Sequence, residues 1–118
     1  MTHHERHSRF LRMRDEYLQV VTTASSADEA RRIATALVEE RLAACVQIVG
    51  PIESIYRWQG KVETAAEWQC WIKTRRQHFG AVEAAIRRLH SYEVPEILAV
   101  PILAGSEPYL KWLSDETA

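Results

Sequence analysis

The sequence predicts an α+β fold, a ferredoxin-like βαββαβ sandwich with an extra C-terminal helix and extended hairpin strands. Three observations predict it. Two stretches of helical apolar spacing alternate with four strand-like stretches in the order β-α-β-β-α-β. The two middle strands meet at a tight-turn signal, Trp58-Gln59-Gly60-Lys61. A chain of 118 residues with 47% hydrophobic and 26% charged residues is enough for one core and not for two.

The elements follow in order. Tyr17 to Thr23 (YLQVVTT) is β-branched and apolar and reads as a buried strand. Ser25-Ser26-Ala27-Asp28-Glu29 offers N-cap candidates and first-turn acids. Ala30, Ile33, Ala34, Leu37 and Val38 then form one helical apolar stripe that ends near Arg41. Cys45 to Ile55 is strand-like, and its Gly50-Pro51 marks a bulge or bend. Val62 to Thr74 alternates as a second long strand, with Val62, Thr64, Ala66, Trp68, Cys70 and Ile72 on one face. Glu63, Ala65, Glu67, Gln69, Trp71 and Lys73 lie on the other. Phe79, Val82, Ile86 and Leu89 give a second amphipathic helix, and Ile97 to Leu103 a fourth apolar strand. Glu107 to Leu113 closes the chain as a short helix with Pro108 in its first turn.

Composition removes several functional classes. A net charge of −1 opposes nucleic-acid binding driven by bulk charge, and no apolar run is long enough for a membrane span. Cys45 and Cys70 lie far apart and form no C-x-x-C pair, a pattern that fits a reducing compartment, so a cytoplasmic location is expected. Residues 1–15 read as a disordered, basic, His-rich tail ahead of a domain spanning 16–118; His3, His4 and His7 have no predicted element to fix their geometry.

Two features do not suit a plain monomer. The hairpin strands run to about ten residues or more, against a usual mode of about five or six. The second sheet face carries large apolar groups such as Trp71. Long hairpins and an uncovered apolar face predict a homo-oligomer; the alternative is that the last helix, with Tyr109 and Trp112, covers the gap.

Chemistry concentrates in two places. His90-Ser91-Tyr92-Glu93-Val94-Pro95-Glu96-Ile97 puts an imidazole, a phenol and two carboxylates where a helix stops and a strand begins. Ser54 to Glu63 (SIYRWQGKVE) places Tyr56 and Trp58 on one strand face beside Arg57 and Lys61, which reads as a ligand pocket or as hairpin packing. Glu93 and Glu96 are an acid/base pair only if a nucleophile or oxyanion donor joins them, and none is identifiable. Phosphate loops, H-E-x-x-H and G-x-S-x-G are absent.

These motifs, with Leu42-Ala43-Ala44-Cys45, Ile72-Lys73-Thr74 and Tyr109-Leu110-Lys111-Trp112-Leu113 in the same order, closely resemble the CutA1 family of divalent-cation tolerance proteins. The resemblance covers about Tyr17 to Leu113. It implies a very stable homotrimer of ferredoxin-like subunits, similar in architecture to PII signalling proteins. It also implies a link to copper and other divalent metals in bacteria, association with acetylcholinesterase anchoring in animal relatives, and no accepted catalytic reaction. Copper favours imidazole and thiolate. His90 therefore leads the metal candidates, with Glu93 and Glu96 beside it and Cys45 as a thiol that is by default a small buried apolar group. Thr22 and Leu89 stand where relatives with a proposed copper site have a cysteine and a second histidine, and both departures remove strong ligands. Tyr56, Trp58, Glu63, Glu67, Lys73 and Tyr92 are expected to line an inter-subunit cleft. The expected cofactor is copper or another divalent cation, with no organic cofactor. The alternative is a PII-like sensor or adaptor holding a small anion or nucleotide in that cleft.

Overall fold

A computed structural model describes residues 16–117. The predicted tail, with His3, His4 and His7, lies outside the described residues.

The chain runs β1 (Tyr17–Ala24), α1 (Ala27–Glu39), β2 (Cys45–Trp58), β3 (Lys61–Arg75), a 3-10 turn (Arg76–His78), α2 (Phe79–Leu89), β4 (Leu98–Pro101) and α3 (Glu107–Glu116). The strands form one antiparallel sheet in the order β2-β3-β1-β4. This is the α+β ferredoxin-like order expected from the sequence.

Local chemistry sets each boundary. Ser26 caps α1, its hydroxyl accepting the Glu29 N–H at 3.0 Å. Gln59 and Gly60 hold positive φ angles of 49° and 81°, which the tight β2–β3 turn requires and glycine supplies without strain. The β2–β3 register shifts between Val49 and Ile52, so Gly50-Pro51 is the predicted bulge. Gly50 also admits the Trp68 indole: a Cβ there would meet Trp68 Cδ1 at 2.5 Å.

Pairing separates the two sheet faces, because residues opposite one another in the register project to the same side. Val20, Thr22, Cys70 and Ile72 point to the helices. With Ile33 and Leu37 of α1 and Val82, Ala85 and Ile86 of α2 they build the core. Val38 stands outside it at 42% exposure, because the stripe of α1 is narrower than its apolar composition. The fourth strand is shorter than Ile97 to Leu103, and all four of its residues are exposed.

The opposite face carries Val21, Thr23, Glu67, Gln69, Trp71 and Lys73. α3 covers one end of it. Tyr17 and Ser114 share a hydrogen bond of 2.8 Å, Arg75 reaches Thr117, and Leu110 and Leu113 turn inward while Tyr109 and Trp112 stay half-exposed.

The β2–β3 hairpin projects beyond the core as an arm. Its outer half leaves Ile55 67% and Val62 64% exposed on one side, and Tyr56 and Trp58 on the other. The radius of gyration is 16.1 Å, against about 13 Å for a compact domain of this size.

Candidate functional site

The polar corner after α2 is anchored by Glu29. This carboxylate is 2% exposed. It accepts hydrogen bonds from the Ser25 N–H (2.9 Å), the Ser25 hydroxyl (3.1 Å) and the Ser91 N–H (2.7 Å). The first of these, with the cap from Ser26, is a capping box extended by one residue. Burial alone would raise the pKa of Glu29. The bonds from Ser91 and Ser25 outweigh burial and hold it down at about 2. The anion therefore ties the β1–α1 corner to the α2–β4 connection.

His90 completes the anchor. Its side chain is 0% exposed. Nδ1 lies 3.0 Å from the Tyr92 backbone nitrogen and Nε2 lies 2.6 Å from the Thr23 carbonyl. A main-chain N–H can only donate, so Nδ1 accepts and Nε2 carries the proton donated to Thr23. Glu29 Oε2 is 3.9 Å from Nδ1, too far for a hydrogen bond. Both ring nitrogens are engaged, and no lone pair faces outward.

Beyond this anchor the corner opens into a cleft of about 450 Å³, lined by Thr23, Tyr56, Trp58, Glu67, Ser91, Tyr92, Glu93, Val94 and Glu96. That volume is in the range of small-molecule sites. The Tyr92 ring packs on His90 with centroids 4.8 Å apart, and its hydroxyl donates to Glu67 Oε2 at 2.8 Å. Burial, that bond and the Glu67 charge push the Tyr92 phenol well above its ordinary range. Glu67 is only 8% exposed, although it sits on the face away from the helices. Partial burial and the charge of Glu67 raise the pKa of Glu96. Among the described residues no Lys or Arg lines the cleft.

The structure thus brings together Tyr56, Trp58, Glu67, Tyr92, Glu93 and Glu96. Within one subunit it keeps the other candidates apart. Glu63 pairs with Tyr56 toward the hairpin tip and does not line the cleft. Lys73 shares the strand face of Glu67 but lies six residues along, about 20 Å away at strand rise. There it bonds the Gln19 side-chain oxygen, stands 5.7 Å from the Trp71 ring, and has its pKa lowered by burial. Cys45 is opposite Lys73 in the register, four rungs from the Gln69–Thr23 pair beside which His90 docks. That is about 13 Å along the strand. His90, Glu93, Glu96 and Cys45 therefore do not share an ion within the chain, and among the described residues no three His, Cys, Asp or Glu side chains converge on a metal position. The residues present do not fit a tight copper centre.

Sequence reasoning missed Glu29 and Thr23 as parts of this corner; Ser91 and Val94 lie in the segment it singled out, but neither was named as a site residue. Glu29 had a signal in the cap spacing from Ser26. The other three are placed by tertiary packing.

The antiparallel sheet, the projecting hairpin and an acidic aromatic cleft beneath it define a class of small α+β protein. The profile described as CutA1 divalent ion tolerance protein matches residues 18–116, and the chain belongs to that family. It is 49% identical over 98 residues to the divalent-cation tolerance protein CutA of Thermus thermophilus, covering 83% of this chain and 95% of that protein. It is 43% identical over 98 residues to the chloroplastic protein CutA 1 of Oryza sativa subsp. japonica, covering 83% of this chain and 55% of that protein. The chain thus spans about half the length of the rice relative. The solved structure of the divalent cation tolerance protein (Cut A1) from Thermus thermophilus superposes with a TM-score of 0.85 at 47% identity, covering 86% of this chain and 99% of that one.

Proposed function

We propose that the protein serves divalent-cation tolerance as a homotrimer whose clefts hold cations weakly at the subunit edges, without catalysis. The observation that carries this reading is the lining of the cleft: Glu67, Glu93 and Glu96, with no basic residue beside them among the described residues. Carboxylate oxygens suit hard divalent cations such as Mn²⁺ better than copper, which favours the imidazole and thiolate groups absent from this lining. Copper enters only as one divalent cation among several.

The same lining disfavours the PII-like alternative in its anion or nucleotide form. An anion would meet three carboxylates and no cation, and architectural likeness alone carries no ligand with it. Support for self-association comes from the arm and from β4. Ile55, Val62, Leu98 (60%) and Val100 (50%) are apolar and exposed, on strands whose outer edges or faces have no partner among the described residues. The family's metal relevance agrees with a cation role. No described helix is long and apolar enough to cross a membrane. We place the protein in the cytoplasm, with no membrane or nucleic-acid partner.

Two measurements on the full chain test this reading. Sedimentation at micromolar concentration is expected to give a trimer. Mn²⁺ titration followed by proton relaxation is expected to show binding that Glu67→Gln with Glu96→Gln weakens at least about tenfold. A monomer, or a double variant that binds Mn²⁺ like the parent, overturns it.

A further inference from the structure

His90 is held by an arrangement that only the neutral imidazole can keep. Nδ1 accepts the Tyr92 N–H at 3.0 Å, and Nε2–H donates to the Thr23 carbonyl at 2.6 Å. A proton arriving from solvent has one place on the ring, the Nδ1 lone pair. There it faces the Tyr92 N–H, donor against donor. The bond to Thr23 survives protonation and the bond to Tyr92 does not.

A new partner for that proton is already in place. Glu29 Oε2 lies 3.9 Å from Nδ1, about 1 Å beyond a charge-assisted hydrogen bond. With its pKa held at about 2, Glu29 is an anion throughout the range in which an ordinary imidazole titrates. The other groups facing this corner come from every element packed on it. Cys70 of β3 has its thiol pushed up to about 11 by burial and by the charge of Glu29. Burial, the bond to Glu67 and the charges of Glu67 and Glu29 keep the Tyr92 phenol protonated. Glu67 meets the corner only through the Tyr92 hydroxyl, and Tyr56 of β2 lies on the cleft side of Tyr92 with Glu93 and Glu96. β1 contributes the Thr23 carbonyl, which does not titrate. The side chains of His90 and Glu29 are 0% and 3% exposed within one subunit, so nothing here turns on what a neighbouring copy covers.

We propose that His90 and Glu29 form a proton-driven switch in the α2–β4 connection. In the neutral form Nδ1 holds the Tyr92 N–H. On protonation the ring turns about its Thr23 bond, and Nδ1–H passes to Glu29, whose same oxygen already accepts the Ser91 N–H at 2.7 Å. The Tyr92 N–H is left without its acceptor, and a stranded donor favours movement of its segment toward water. The Tyr92 ring packs on His90, and its hydroxyl reaches Glu67. Its displacement therefore loosens the connection from β3, while His90 stays fastened to β1 and α1. Acid opens the connection and neutral pH closes it. This inference goes beyond the cation reading and does not rest on it.

The test is NMR of the full-length, nitrogen-labelled protein between about pH 7.5 and about pH 5. At the upper end the His90 ring is expected as the Nε2–H tautomer. On acidification it is expected to gain its second proton. With the same midpoint, the Tyr92 amide should lose at least about tenfold of its protection from hydrogen exchange, after correction for the intrinsic effect of pH. The paired core amides of Val20 and Ile72 should keep theirs. His90→Asn, which retains an acceptor near the place of Nδ1 but cannot titrate, is expected to hold Tyr92 protection level across the range. Glu29→Gln removes the receiving anion and should lower the midpoint. Tyr92→Phe cuts only the bond to Glu67 and should raise it, which repeats the test should another variant fail to fold. Three results overturn the switch: a His90 ring still neutral at about pH 5, a ring that gains its proton while Tyr92 protection is unmoved, or a His90→Asn protein that loses Tyr92 protection as the parent does.

Discussion

Replacing Glu29 by glutamine removes the one buried charge that ties the β1–α1 corner to the connection after α2. The amide retains a carbonyl oxygen, but its NH₂ group must face the N–H of Ser25 or Ser91, donor against donor. The carboxylate's pKa moves from an ordinary 4.5 to about 2 in the fold, which corresponds to about 3 kcal/mol of preference for the folded state. Because the folded pKa is the lower one, that stabilisation is complete above about pH 4.5 and is lost as the pH falls toward 2.

Chemical denaturation of the parent and Glu29→Gln, at one protein concentration, measures the gap. It is expected to be about 3 kcal/mol at pH 7 and to close progressively below pH 4.5. Carboxyl NMR titration of the folded protein should find Glu29 still ionised at about pH 3. A gap under about 1 kcal/mol at pH 7, or one of constant size down to about pH 2.5, would refute the reasoning, because the hydrogen bonds would then not discriminate between charged and neutral forms.

His90→Ala is expected to leave the copper affinity of the full chain unchanged by calorimetry, since both ring nitrogens are engaged. It should lower stability by about 1–3 kcal/mol by stranding the Thr23 carbonyl and the Tyr92 N–H. Gly50→Ala should cost about 1–3 kcal/mol in thermal unfolding, because the added methyl meets the Trp68 ring. Gly80→Ala is its matched control: nothing lies within 4 Å of the new Cβ, and the helical position should gain about 0.5–1 kcal/mol. Ile55→Asp on the exposed arm is expected to shift sedimentation toward smaller species while the isolated subunit keeps its circular dichroism.

Periodicity carried the sequence reading a long way, and its limits are geometric. Alternation along Val62 to Thr74 correctly put Glu67 and Lys73 on one face, and Trp58-Gln59-Gly60-Lys61 correctly closed the hairpin. A strand face is a line, however, not a point. Parity says which side a residue occupies and nothing about which end, and within one subunit Lys73 lies about 20 Å along the strand from Glu67. His90 shows a different limit. Residue type marks it as the best ligand in its segment, but Thr23 and Tyr92, which occupy its nitrogens, reach it through tertiary packing and local backbone geometry that spacing does not encode. Val38 fits the helical stripe of α1 by type and still lies outside the core, because the sheet beneath covers only part of that stripe.

The segment from His90 to Glu96 holds two kinds of polar group, and hydrogen-bond satisfaction separates them. Facing inward, Glu29 is buried and accepts three hydrogen bonds, and His90 is locked in one tautomer by an N–H on one side and a carbonyl on the other. A group with no free lone pair and no exposed surface can shape a site but cannot bind a ligand there without first breaking the fold's own bonds. Facing outward, Glu93 and Glu96 border open space, and Glu67, almost buried, has one neutral donor and no counter-ion among the described residues. The proposed cation chemistry therefore falls to the carboxylates, and the imidazole belongs to the scaffold. This reverses the order in which the residue types alone would rank them. It also accounts for Thr22 and Leu89 at positions where ligands were expected: in this chain His90 serves Thr23 and Tyr92, and the three acids that line the cleft lie outside that anchor.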